Sequence, residues 1–110
     1  MSPRKVLFVH NSITISDLMQ HGLENIEFSN ISKANSLKSM LMEMLLNSPE
    51  LIVLDFDFSD MNGVEVVKII RNYLNFQADV IVFVKRNLTA YEQRMLAELK
   101  VSNIIHKVCC

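Results

Sequence analysis

The sequence has little of what several classes of enzyme and metalloprotein need. It has two glycines and two cysteines among 110 residues, and no tryptophan. We find no glycine-rich phosphate loop, no nucleophile elbow and no paired Cys/His metal set, which argues against a free-standing enzyme. The cysteines are Cys109 and Cys110. Because they are adjacent, they cannot cross-link distant parts of a fold, and we expect reduced thiols.

The sequence also lacks an excess of charge of one sign and any long apolar run. Its net charge is −1, with acidic and basic residues interspersed, so no surface for nucleic acid or an anionic membrane is predicted. The apolar runs have the length of strands and fall short of the roughly 20 residues that span a bilayer. The run 6–9 is also too short for a signal peptide. We therefore expect a cytoplasmic protein.

Strand-like and helix-like patterns alternate along a single domain, residues 1–110. Hydrophobic residues make up 50% of the chain, enough for a sizeable core. The apolar runs 6–9, 26–28, 51–56, 80–84 and 104–105 predict five strands, and helical stripes over 15–23, 37–45, 64–74 and 88–99 predict four helices. This alternation favours a parallel sheet with helices on both faces.

Two helical segments carry finer predictions. Thr89 and Glu92 have the spacing of a capping box at the start of the fourth predicted helix. In the second, Met40 and Met44 are predicted to be core, whereas Met42 lies off the stripe. We expect Met42 to pack in the core, with an adaptable contact surface as the alternative.

The sequence stops shortly after the fifth predicted strand, so the helix that would follow it is expected to be absent. Apolar side chains on the third to fifth strands would then remain in water and mark an interface, for example for self-association. The alternative is a sequence cut short before its last helix. The side chains concerned would be Val80, Val82 or their alternates, with Ile104 or Ile105.

Asp55 is the leading candidate for a functional residue. It ends the apolar run 51–54, and open parallel sheets place their chemistry at the carboxyl ends of strands. On an extended strand, Asp57 would point to the same side, and two carboxylates can hold Mg²⁺ between them. The alternative is that Asp55 only caps the turn towards Gly63 while Asp57 is solvated.

Residues 49–63 resemble the third strand and following loop of a response-regulator receiver domain, and the likeness extends over residues 4–108. The resemblance implies a doubly wound, flavodoxin-like five-stranded α/β sheet with strand order 2-1-3-4-5. It implies that Asp55 takes the place of the phosphoacceptor and Lys107 that of the lysine that contacts the phosphoryl oxygens.

Other positions depart from the receiver pattern. His10 and Asn11 stand where the family has the acidic pair that binds Mg²⁺, and an imidazole and an amide are poor substitutes. Val84 replaces the switch hydroxyl, and Ile104 replaces the switch aromatic. We therefore expect no cofactor beyond weak Mg²⁺ at Asp55 and Asp57, with Asp55 and Lys107 kept as an ion pair.

These departures predict a pseudo-receiver without enzymatic activity, which signals by docking while its phosphorylation is impaired. The expected surface is the fourth predicted helix, residues 89–100, with the fourth and fifth strands. It would meet a protein partner or a second copy. The alternatives are a working phosphoacceptor that a histidine kinase phosphorylates on Asp55, and a plain scaffold in a larger assembly.

Overall fold

The computed structural model describes residues 5–9, 31–57 and 61–106. Predictions made for other residues lie outside this part of the chain. They include the helix at 15–23, the strand at 26–28 and the two cysteines.

The described residues form a five-stranded parallel sheet in the order β2-β1-β3-β4-β5. The strands are β1 (Val6–Val9), β2 (Ile31–Ala34), β3 (Leu51–Asp55), β4 (Asp79–Val84) and β5 (Asn103–His106). The predicted fold class and strand order are confirmed. Because all strands run the same way, Asp55 of β3 and Val84 of β4 both end at the carboxyl edge of the sheet.

The strand β2 forms one edge of the sheet and pairs with β1 from Ile31 to Ala34. The sequence analysis predicted no strand at these residues. As an edge strand, β2 is only partly covered: Lys33 is exposed and Ala34 alone is buried. An edge strand tolerates polar residues, so β2 lacks the continuous apolar run by which the other strands were found.

Three described α-helices connect or flank these strands. They are α1 (Leu37–Asn47), α2 (Gly63–Lys68) and α3 (Ala90–Glu98), and α2 continues directly into a π-helical segment, Ile69–Tyr73. The helix α3 is the fourth predicted helix, and the predicted capping box of Thr89 and Glu92 is present. No helix among the described residues is long and apolar enough to cross a membrane.

For two helices, the prediction of which residues face the core is wrong in part. Met40 and Met44 are buried as predicted, but Met42 is 50% and Leu45 77% exposed, so neither packs in the core. The reason is that α1 covers the margin of the sheet and needs only a narrow apolar stripe. In α3, Tyr91 is 49% exposed. Tyr91 was predicted to face the core, but Glu92 lies on the buried face of α3 instead, together with Leu96 and Leu99.

The core occupies both faces of the sheet, and the expectation of a water-exposed apolar face on the third to fifth strands is wrong. Val80 and Val82 lie in the larger cluster, together with Val64 and Leu96 of the helices. Their alternates lie in a second cluster on the other face, formed by Val6, Phe8, Leu51, Val53, Ile81, Phe83 and Ile105. All members of both clusters are at most 8% exposed. Ile104 is partly buried against the larger cluster.

Candidate functional site

Asp55 closes β3 with its carboxylate at the carboxyl edge of the sheet. Its side chain is 5% exposed, and the backbone N–H of Asp57 donates a hydrogen bond of 3.1 Å to its Oδ1. The backbone N–H of Phe56 donates to the carbonyl of Phe83, which extends the ladder with β4 one residue past the strand. The carboxylate is therefore buried and oriented by the turn that follows it.

The extended-strand argument does not apply to Asp57, which follows the end of β3. The strand ends at Asp55, and Phe56 and Asp57 form a turn, so the alternation of side chains stops there. Asp57 is exposed, and its Oδ1 lies 3.7 Å from Nη2 of Arg86. The second carboxylate of the predicted pair thus faces a cation.

The described part of this edge holds no cluster of metal-ligating side chains. Among residues 5–9, 31–57 and 61–106, no group of three or more His, Cys, Asp or Glu side chains could hold a metal ion. His10, Asn11 and Lys107 lie outside these ranges, and their roles stay predictions. By chemistry, His10 and Asn11 would add no carboxylate oxygen to that of Asp55.

The two residues that the resemblance assigned to the switch positions, Val84 and Ile104, lie in apolar surroundings. Val84 is 1% exposed and pairs with His106 of β5. Ile104 pairs with Val82 and packs against the larger cluster. Neither side chain can donate a hydrogen bond to a group attached to Asp55.

Gly63 is required by packing at the start of α2. A Cβ on this residue would clash with the ring of Phe56, which is itself fully buried directly after Asp55. The sequence analysis placed Gly63 at the turn into the helix. The structure gives it another role, since it lets α2 approach the Phe56 ring closely.

An ion-pair network next to this edge was missed by the sequence analysis. Two N–H groups of Arg86 donate to Glu92, with distances of 3.0 Å from Nη1 to Oε1 and 2.9 Å from Nη2 to Oε2. The backbone N–H of Thr89 donates to Oε1 at 2.9 Å, and Nδ2 of Asn62 donates to Oε2 at 3.0 Å. Each oxygen of the buried Glu92 carboxylate therefore accepts two hydrogen bonds.

These contacts explain the charge state of Glu92. The hydrogen bonds from Arg86 hold the pKa of Glu92 far below its usual range, with help from Asn62 and Thr89 and against the effect of burial. The same pair raises the pKa of Arg86. The guanidinium also lies over the Phe56 ring, 5.3 Å from its centroid, a cation–π geometry.

The network joins three parts of the carboxyl edge: the turn after β3, the cap of α2 and the first turn of α3. Asn62 takes part in two of them, because its Oδ1 accepts from the N–H of Val64 while its Nδ2 reaches Glu92. The capping box was readable from sequence. The pairing of Arg86 with Glu92 was not, because six residues separate them and a loop intervenes.

Comparisons with known proteins agree on one family. A family model described as the response regulator receiver domain matches residues 6–109. The sensory transduction protein LytT of Bacillus anthracis is 34% identical over 98 residues, covering 88% of this chain and 37% of that protein. LytT of Bacillus cereus is 33% identical over 98 residues, again covering 88% of this chain and 37% of that protein. The chain thus spans little more than a third of these relatives.

Solved structures show the same fold at low identity. A CheY-like receiver domain protein from Methanospirillum hungatei superposes with a TM-score of 0.72 at 17% identity, covering 99% of this chain and 85% of that one. The N-terminal domain of a response regulator receiver protein from Methanoculleus marisnigri gives 0.71 at 23% identity, covering 96% and 85%.

Proposed function

The chain belongs to the response regulator receiver family, and from that premise we propose that it is a pseudo-receiver. It is a receiver domain of two-component signalling. In our proposal its phosphorylation is impaired, and it signals by docking to a protein partner or to a second copy, in the cytoplasm and without enzymatic activity.

The composition of the edge around Asp55 supports this proposal more than any other observation. Phosphoryl transfer to a carboxylate needs neutralisation of the charge that builds up on the phosphoryl oxygens. The neighbouring Asp57 faces Arg86, and Val84 closes β4 without a hydroxyl. The two positions that would bring metal-binding carboxylates are His10 and Asn11.

The competing function is a working receiver that a histidine kinase phosphorylates on Asp55. It is favoured by the placement of Asp55, a buried carboxylate at the end of β3. Incubation of the chain with Mg²⁺ and beryllofluoride, or with a small-molecule phosphodonor, decides between the two. Amide NMR shifts and intact mass are the measurements, with Asp55→Asn as the control.

We expect no adduct in the wild-type chain and spectra that match those of Asp55→Asn with and without the reagents. A mass increment or shifts around Asp55 that the Asn variant abolishes would overturn the proposal in favour of the working receiver.

For docking, we propose the exposed side of α3 together with the exposed residues of β5. Tyr91 and Arg94 are exposed on α3, and Asn103 and His106 on β5. The strand β4 is buried from Val80 to Val84, so it positions this surface and contributes little contact area itself. Binding of the cognate partner, or self-association measured by sedimentation, should weaken in Tyr91→Ala and Arg94→Ala.

Lys38→Ala is a suitable control for those variants, because Lys38 is exposed on α1, a different helix. If both α3 variants bind like the Lys38 variant, docking does not use this surface.

A further inference from the structure

The helix α3 is held at both of its ends by arginines that belong to other elements. Arg86, in the loop after β4, binds Glu92 in the first turn of α3. Arg71, in the π-helical segment after α2, binds the backbone that follows the last turn. We call these two sets of contacts the arginine clamp.

At the carboxyl end, Arg71 donates to four backbone carbonyls. Its Nε donates to Leu99 at 2.8 Å and its Nη2 to Lys100 at 3.1 Å. Its Nη1 donates to Phe76 at 2.8 Å and to Ala78 at 2.6 Å. The last carbonyls of a helix lack partners within the helix, and a guanidinium is the side chain with enough donors in a fixed fork to satisfy several of them.

Arg71 also ties the end of α3 to the connection that leads into β4. Phe76 and Ala78 lie in that connection, whereas Leu99 and Lys100 lie just after α3. Lys100 takes a left-handed conformation, with φ of 59°, so the chain turns sharply at this point towards β5. Burial lowers the pKa of Arg71 from its usual value, which leaves an arginine charged at neutral pH.

At the amino end, Arg86 is engaged on several sides by this chain. Glu92 accepts hydrogen bonds from both terminal nitrogens of Arg86, the guanidinium lies over the Phe56 ring, and Oδ1 of Asp57 is 3.7 Å from Nη2. The carboxylate of Glu92 is 7% exposed and so cannot leave the pair without losing its compensation. The loop between β4 and α3 is thereby attached to the turn that follows Asp55.

We infer that the arginine clamp holds α3 in one position against the sheet whatever the chemical state of Asp55. Val84 packs in the larger cluster, on the face of the sheet opposite that of Phe83, the register partner of Asp55, so it offers no hydrogen bond to a group on Asp55. Arg86, in contrast, holds the loop after β4 to Glu92 and Phe56. The docking surface on α3 is then permanently presented. This inference deepens the proposed docking role and rests on it for its biological meaning.

Amide hydrogen exchange of the whole chain tests the clamp without any phosphodonor or partner. Arg86→Gln and Arg71→Gln each remove one end of it, and Arg94→Gln is the matched control, because Arg94 is an exposed arginine on α3. In Arg86→Gln, we expect exchange faster by about tenfold or more at the amides of Glu92 and Gln93, which donate to Oγ1 and to the carbonyl of Thr89.

In Arg71→Gln, the faster exchange should instead be confined to the amides of Leu99, Lys100 and Val101, which donate to Met95, Ala97 and Leu96. Amides of β1 and β3 should keep wild-type rates in both variants. Exchange in α3 that matches Arg94→Gln in both variants would overturn the clamp. If a Gln variant fails to fold, Arg86→Lys keeps the charge but loses the two-pronged contact, and should show a smaller acceleration at the same amides.

The outcome for the clamp is separable from that for the proposed function. If beryllofluoride forms an adduct on Asp55 but the α3 amides keep their shifts and exchange rates, impaired phosphorylation is wrong and the clamp stands. If an adduct moves α3 in the wild-type chain, the clamp is wrong.

Discussion

Arg86→Ala should destabilise the fold mainly by leaving the buried carboxylate of Glu92 without its cation. Breaking a fully buried ion pair by removing one partner costs about 3–5 kcal/mol. Here the Arg86 side chain is 44% exposed, so water solvates part of the pair. Glu92 also keeps the donors from Thr89 and Asn62. We therefore expect a loss of about 2 kcal/mol in the free energy of unfolding at pH 7, where surface pairs contribute at most about 1 kcal/mol.

The pH dependence identifies the source of this loss. The pKa of Glu92 is lowered in the folded state from a usual value of 4.5. Its contribution to stability is therefore fully present above that value and is lost as the pH falls towards the folded pKa. In Arg86→Ala the pKa of Glu92 should be lowered less. The gap in stability between wild type and variant should therefore be constant from pH 8 to about pH 5.5 and shrink below about pH 4.5.

Urea denaturation followed by circular dichroism across this pH range measures the gap, with Arg94→Ala as the control for loss of an exposed arginine. Adding Glu92→Gln to Arg86→Ala should recover part of the lost stability, because no buried charge then remains unpaired. A gap that stays the same from pH 7 to pH 3, or a double variant less stable than Arg86→Ala, would show that the cost comes from lost packing on Phe56 and not from charge.

Three further predictions concern other parts of the same framework. Gly63→Ala should destabilise by about 1–3 kcal/mol through overpacking against the Phe56 ring, and Phe56→Leu should rescue part of that loss; absence of any rescue in urea titrations would refute the stated contact. Arg71→Ala should lower the free energy of unfolding by about 2–3 kcal/mol, because the carbonyls after α3 and those before β4 lose charge-assisted donors. Arg94→Ala should change it by no more than about 0.5 kcal/mol. Val84→Thr should cost about 1–2 kcal/mol by burying a hydroxyl without enabling an adduct with beryllofluoride, and an adduct in that variant alone would show that the missing hydroxyl limits phosphorylation.

Local patterns in the sequence were sufficient for the parts of the fold that depend on neighbouring residues. Apolar runs of at least four residues located β1, β3 and β4, because strands buried on both faces exclude polar side chains. The capping box of Thr89 and Glu92 marked the start of α3, since the hydrogen bonds of a cap form within one turn. Asp55 was assigned to the carboxyl edge for the same reason: it directly follows a buried strand.

Contacts between distant segments had no comparable pattern. Asp57 was expected to point to the same side as Asp55, but the strand ends at Asp55, two residues earlier, and the Asp57 carboxylate lies 3.7 Å from Arg86. The capping role of Glu92 was predicted, but its burial was not. A carboxylate is buried only where a partner compensates its charge, and here the partner is the guanidinium of Arg86, in the loop before α3.

The sequence by itself thus determined the alternation of strands and helices, the parallel sheet and the aspartate at its carboxyl edge, since each follows from the period or polarity of adjacent residues. Only the tertiary structure decided three other features. Two arginines bind the two ends of α3, the Phe56 ring packs closely against Gly63, and β2 pairs with β1 from Ile31 to Ala34. Those features depend on pairs of residues that folding brings together, and the free energy of such a pair has no signature in either residue alone.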